Sequence, residues 1–293
     1  MLGRSGMVVS ESGPERAFGV SHAVAEGDEV VSAMPSGPHL LGPAGLPPGG
    51  AAGVLIDDIL GFAIMLRRPA NLWSVSAEIS LDLFRTLPSD GSPIIARGRH
   101  VHTGPHAGFA TGTVADADGR LLATCRQHGR WVTTIPDGPQ AAPAQPGPAR
   151  SRPEADRPQA GWPPAAAATA APDLATLLGA RVRLTEGGAQ LELDVTQAVV
   201  NPLGNLHGGV TFAACDLVAQ AAIGAAGGPV QTASIHVAYP RPIAAGTTPR
   251  FDARVVHRGR VLGVVEVRVT VDGVRPCAIA TITTGVPEPG SQD

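Results

Sequence analysis

Lysine is absent from the sequence: all 22 basic residues are arginine. With Ala, Gly and Pro so abundant, that absence points to a GC-rich coding bias. The 37 glycines and 28 prolines therefore carry less structural meaning than usual. Charge of one sign is also scarce. The formal net charge is −3 with no long single-sign run, which argues against a nucleic-acid partner needing a basic face for its phosphates. No uninterrupted apolar run reaches the ~18 residues that span a bilayer, so no membrane partner is expected. Met1–Arg16 lacks the apolar core of a signal peptide. Cysteine is sparse, and Cys125, Cys215 and Cys277 are scattered without C-x-x-C spacing. That excludes a disulfide scaffold or zinc ribbon and favours a reduced cytoplasm.

What is present suits two ordinary domains: 293 residues, 43% hydrophobic and 16% charged. Residues 136–172 hold 10 prolines and 12 alanines with almost no aliphatic side chains, and read as an extended linker. It separates a first domain, 14–135, from a second, 173–288.

The two domains are related. Gly42-Pro-Ala-Gly-Leu-Pro-Pro-Gly-Gly50 lies over Asn201-Pro-Leu-Gly-Asn-Leu-His-Gly-Gly209, and Asp57 then falls on Asp216 without a gap. Ile79-x-Leu-x-Leu-x-Arg85 matches Ile235-x-Val-x-Tyr-x-Arg241, and His102-x-Gly104 matches His257-x-Gly259. Matches in this order, with small drift at loops, indicate an old internal duplication. Each half predicts two short strands (Phe18–Ala25 and Glu29–Pro35; Ala180–Glu186 and Gln190–Thr196). A long apolar helix follows, Gly50 to about Arg67 and Gly209 to about Ala226, and then three strands. Alternation is clearest at Val265, Val267, Val269 and Val271. Asp118-Gly119 and Asp272-Gly273 predict hairpin turns. The class is α+β, a buried helix wrapped by a curved antiparallel sheet, twice over.

Asn201-x5-His207-Gly208-Gly209-x6-Asp216 resembles the active-site motif of hotdog-fold acyl-CoA thioesterases, in the phenylacetyl-CoA thioesterase-like branch. Tyr239-Pro-Arg-Pro…Gly246 adds to the likeness. The resemblance covers Leu174 to about Val286 well and Arg16 to about Val132 more weakly. It implies two hotdog domains in tandem, a pseudo-twofold double hotdog that hydrolyses acyl-CoA to free acid and CoA without metal or other cofactor. The physical logic agrees. Two glycines at a helix start admit a ligand to the backbone, and the unpaired N–H groups there can form an oxyanion hole. Asn201 and His207 can hydrogen-bond the thioester or fix the loop. Asp216, in an apolar stretch, is a carboxylate whose pKa burial should raise, suited to act as base or nucleophile.

Because hotdog sites lie between paired helices, the resemblance implies a crossed arrangement. One site joins Asn201, His207, Gly208 and Gly209 to Asp57, with Asp58 as the fallback acid. The other joins Gly49 and Gly50 to Asp216, but Gly42 and Pro48 replace its Asn and His, so one competent site per chain is expected. Thr232 and its counterpart Ser76 occupy a water-orienting position of related enzymes, and Arg241, Arg258 and Arg260 are candidates for the CoA phosphates. A metal site at His100, His102 and His106 is set aside because His257, the counterpart of His102, has no such cluster. Asp252-x4-His257 mimics hydratase spacing but falls on a strand, away from the helix-leading loop. A hotdog enoyl-CoA hydratase or dehydratase and a non-catalytic acyl-CoA-binding protein are the alternatives. A homo-oligomer of double-hotdog units stays open.

Overall fold

Alternation at period two sets the strands. In the run Leu262–Thr270, Val265, Val267 and Val269 are buried while Glu266 and Arg268 are exposed. The expected continuation to Val271 fails, because the strand ends at Thr270 and Val271 is exposed in the following turn. The computed structural model describes residues 12–133, 173–228 and 230–286. The segment 136–172, read above as a linker, lies outside them, as do residues 1–11 of the N-terminal stretch.

The elements fall into two matching sets. The first is α1 (Gly13–Phe18), β1 (Val24–Glu26), β2 (Glu29–Pro35), α2 (Gly53–Met65), β3 (Trp73–Leu83), β4 (Pro93–Thr103), β5 (Ala107–Ala115) and β6 (Leu121–Val132). The second is α3 (Leu174–Leu178), β7 (Ala180–Thr185), β8 (Gly188–Leu193), α4 (Gly208–Ala225), β9 (Gln231–Ala238), β10 (Arg250–Arg258), β11 (Leu262–Thr270) and β12 (Pro276–Gly285). Among the described residues all twelve strands join one sheet in the palindromic order β1-β2-β4-β5-β6-β3-β9-β12-β11-β10-β8-β7. The halves meet where β3 pairs antiparallel with β9, and Ser80 there faces its own duplicate, His236. A pseudo-twofold axis therefore passes between them. The duplication extends to irregularities: a one-residue bulge follows Ser76 at Ala77 and follows Thr232 at Ala233. A second pair of bulges interrupts β4 before His102 and β10 before His257.

Four expectations need correction. Each core helix is followed by four strands, β3–β6 and β9–β12, and not three. Phe18 does not begin a strand: Pro14 in the first turn and Gly19 in the left-handed conformation (φ 66°) bracket a short helix, so the first strand is only Val24–Glu26. The α2 helix does not start cleanly at Gly50, because Gly49–Ala52 forms a 3-10 turn first. That turn's N-cap is Pro48, which has no side-chain hydrogen bond to offer, whereas His207 stands at the N-cap of α4 with Nδ1 3.1 Å from Gly209 N. Finally, the 18-residue α4 is long and apolar enough to cross a bilayer, with a mean hydropathy of 1.3. Counting uninterrupted apolar residues missed it, since Thr211, Asp216 and Gln220 punctuate the run. The helix is 83% buried inside the protein and is a core helix.

The two core helices touch backbone to backbone near their N-termini. A Cβ on Gly209 would lie 2.4 Å from the Gly53 carbonyl oxygen, and one on Gly53 would lie 2.5 Å from the Gly209 carbonyl oxygen. Only glycine allows this approach, which carries each helix start to the other half's acid. Gly209→Ala is expected to lower the thermal midpoint by roughly 4–10 °C, as overpacking against rigid backbone does. A scan of purified variant against wild type checks this, and an unchanged midpoint would mean that the helices separate freely.

Candidate active site

Three donors converge on the Asp57 carboxylate, which α2 presents in the core at 8% exposure. Gly209 N, from the first turn of α4, donates to Oδ2 at 2.8 Å. Ser76 Oγ, on β3 at the Ala77 bulge, donates to Oδ1 at 2.6 Å. Gln127 Nε2, on β6, reaches Oδ1 at 3.2 Å and Ser76 Oγ at 2.8 Å. His207 Nδ1 lies 3.2 Å from Oδ2, and its Nε2 lies 3.5 Å from Glu15 Oε1 on α1. Tyr239, just past β9, donates its hydroxyl to the Gly208 carbonyl at 3.0 Å and so fixes the start of α4. The N–H of Gly208 makes no hydrogen bond among the described residues. It stands at a helix N-terminus, where the dipole favours negative charge. A Cβ at Gly208 would lie 2.6 Å from Asp57 Oδ2, so the glycine keeps the approach to the acid open.

Electrostatics separate the neighbouring groups. Burial opposes a charge on His207, but Asp57 and Glu15 on either side outweigh it and raise its pKa. Burial likewise disfavours the Glu15 carboxylate, but contact with His207 and Ser12 holds its pKa below the usual range. Burial and the nearby Glu15 charge push Asp58 up to about 7.

The duplicate cluster has the same plan with different parts. Gly50 N donates to Asp216 Oδ2 at 2.8 Å, and Thr232 Oγ1 bonds both Asp216 oxygens at 2.8 and 3.0 Å. Gly49 N, the counterpart of the free Gly208 N, is committed to Thr232 Oγ1 at 3.3 Å. Gln220, one turn along α4 from Asp216, donates to Thr232 Oγ1 at 3.2 Å. The Gln220 Oε1 lies 3.0 Å from where a Cβ on Gly42 would sit, filling space that a side chain there would need. Asp216 is fully buried, which pushes its carboxyl up to about 6.

The structure thus brings Asp57, Ser76, His207, Gly208 and Gly209 together, and separately Asp216, Thr232, Gly49 and Gly50. Asn201 joins neither set; its Oδ1 accepts from Leu203 N and Asn205 N and braces the loop before α4. Arg241 is exposed and donates to the Pro276 carbonyl, while Arg258 and Arg260 are exposed around the β10–β11 turn. Asp252 lies on β10, engaged by Gln190 and Arg250. His100 bonds Thr103, and among the described residues no group of three His, Cys, Asp or Glu side chains is placed to hold a metal ion. Gln127 and Glu15 escaped the sequence reading. The alternation of β6 carried a signal for the first, since Gln127 shares its inward face with Cys125, Gly129 and Trp131.

Known families match both halves. The thioesterase superfamily matches residues 203–278, and the acyl-CoA thioesterase C-terminal domain matches residues 39–130. No curated protein matches the sequence. Among solved structures, a protein named as a thioesterase from Novosphingobium aromaticivorans DSM 12444 is 19% identical, with a TM-score of 0.59 over 91% of this chain and 98% of that one. Acyl-CoA thioesterase II TesB2 from Mycobacterium marinum is 10% identical, covering 95% of this chain and 99% of that one at a TM-score of 0.56. The 12:0-ACP thioesterase from Umbellularia californica is 12% identical, covering 92% and 96% at the same TM-score. At such identities the structures speak for the fold alone, a double hotdog with one long sheet around two helices. With a thioesterase domain matched in each half and this fold enclosing both, the chain belongs to the thioesterase superfamily and is a double-hotdog thioester hydrolase.

Proposed function

We propose that the chain hydrolyses acyl-CoA at one site, where Asp57 of the first half faces the N-terminus of α4 in the second. The observation that carries this reading is the contrast between Gly208 and Gly49. One helix start keeps a free N–H beside an acid, while its duplicate has committed the equivalent N–H to Thr232. In the resting site Asp57 Oδ2 accepts the Gly209 N–H. A thioester carbonyl oxygen entering there takes that N–H together with the Gly208 N–H, which uncovers Oδ2. Asp57 then removes a proton from water as the water oxygen bonds the carbonyl carbon, and the negative charge moves to the carbonyl oxygen. Collapse of the tetrahedral intermediate breaks the C–S bond, and the thiolate recovers the proton from Asp57. Among the described residues the buried Gln127 Oε1 has no hydrogen-bond partner, and it can accept from the attacking water, while Ser76 and Gln127 Nε2 hold Oδ1.

Free-CoA release from short, medium, long and aromatic acyl-CoAs tests the reading. Turnover with at least one class supports it, whereas tight binding without release from any would make the chain an acyl-CoA-binding protein. Gln127→Leu is expected to lower kcat roughly ten- to hundredfold, the cost of one hydrogen bond to a charged group, with little change in KM. An undiminished kcat would remove Gln127 from the site.

A further inference from the structure

We propose that Glu15 is a positioning residue for the hydrolysis. It holds His207 as an imidazolium between two carboxylates, with Nδ1–H directed at Asp57 and Nε2–H at Glu15. The inference rests on the site proposed above and adds a residue from an element that plays no other part in it.

The internal duplication supplies a control that a single domain would lack. The short helices α1 and α3 correspond through their buried ends, Phe18 and Leu178, and through the left-handed glycines that follow, Gly19 and Gly179. Glu15 therefore falls on Ala175, just as His207 falls on Pro48. The half-site with the histidine has the glutamate, and the half-site without one lacks the other.

Each short helix also leans on the opposite half. Gly13 packs so tightly against Gln197 and Ala198 that a Cβ would lie 2.3 Å from the Gln197 carbonyl oxygen, and Leu174 N donates to the Leu41 carbonyl at 3.0 Å. That docking brings Glu15 to the imidazole edge remote from Asp57. Ser12 Oγ, at the N-cap of α1, donates to the other Glu15 oxygen and fixes its direction. Both side chains are largely buried, so their attraction is weakly screened.

The titratable groups facing His207 are Glu15 from α1, Asp57 and Asp58 from α2, and the Tyr239 phenol beyond β9. Burial pushes the phenol up, so it stays neutral. Asp58, raised to about 7 by burial and by Glu15, is only partly ionised at neutral pH, and the imidazolium lies between the other two acids. A cation in this place adds positive charge beside Asp57 and where the oxyanion forms.

The test combines 15N-histidine NMR titration with kcat for CoA release across pH, in wild type, Glu15→Gln, Glu15→Asp and Glu15→Gln/Asp58→Asn. The double variant is needed because Asp58 ionises more readily once the Glu15 charge is gone. Glu15→Gln should lower the His207 titration by about one pH unit or more. On the alkaline side kcat should then fall about tenfold, with KM and acid-side kcat nearly unchanged. Glu15→Asp should recover part of the loss, and the double variant should shift furthest. An unmoved His207 titration in folded Glu15→Gln, or an equal loss of kcat at every pH, would overturn the proposal. A wild type that hydrolyses no thioester overturns the proposed function whatever His207 titrates at, so the two failures read out separately.

Discussion

Asp57→Asn is expected to lower CoA release by at least about 10³-fold while the protein keeps its fold. The replacement is nearly isosteric and leaves Oδ1 able to accept from Ser76 and Gln127, so the strand and helix contacts around position 57 persist. What disappears is the basic oxygen that accepts from Gly209 and faces His207. Its conjugate amide cannot take a proton from water at neutral pH. Substrate binding should survive, because the N–H groups at the start of α4 are unchanged. Loss of binding together with turnover would mean that Asp57 acts by shaping the pocket. Activity within tenfold of wild type would remove it from the chemistry. Steady-state kinetics beside acyl-CoA binding distinguishes the three outcomes.

The second large effect concerns stability, and it comes from Asp216. Burial raises its folded-state carboxyl from 3.8 to about 6, against which the Gly50 N–H and the Thr232 hydroxyl work only in part. The folded chain therefore binds more protons than the unfolded chain between those values. The associated stability is fully present below about pH 4 and is lost as pH rises through about 6. The full loss is about 3 kcal/mol, roughly half of it between pH 5 and 8. Asp216→Asn abolishes that dependence, so the variant should gain on wild type by roughly 1–2 kcal/mol between pH 5 and pH 8. Urea unfolding of both proteins at the two pH values measures the difference directly, since other titrating groups cancel. Parallel pH profiles would show that Asp216 ionises as an ordinary solvated carboxyl does.

Much of this architecture was legible because duplication repeats its own evidence. The offset that lays Asp57 on Asp216 and Ile79 on Ile235 describes two equivalent units, and a palindromic sheet is what a twofold pairing of such units produces. Continuous apolarity betrayed the two core helices, since α2 buries every residue but Asp58 and Gly61. The short helices α1 and α3 were not legible. Six and five residues are too few for a 3.6-residue period to show, and only their terminal glycines mark them.

The site divided along similar lines. Asp57, His207 and the glycine pairs stand in matching motifs of the two halves, and the crossed pairing of halves is what the family resemblance implies. Gln127 could have been found from strand alternation, because a polar residue in an inward register needs a partner. Glu15 could not, as its contact with His207 depends on how α1 docks on the far half, and no local pattern encodes that. Of the two roles open to Asn201, its hydrogen bonds fit the fixing of the loop: a side chain that bonds backbone two and four residues ahead braces a turn, as asparagine commonly does.

The claim that only one of two duplicated half-sites works is tested most directly by comparing Asp57→Asn and Asp216→Asn side by side. Free-CoA release would be followed on the best substrate of the acyl-CoA panel. The account predicts that turnover is lost in Asp57→Asn and stays within about threefold of wild type in Asp216→Asn, because only the first acid faces a free helix N–H. Turnover lost mainly in Asp216→Asn would contradict it and move the reaction to the cluster of Gly49, Gly50, Thr232 and Gln220.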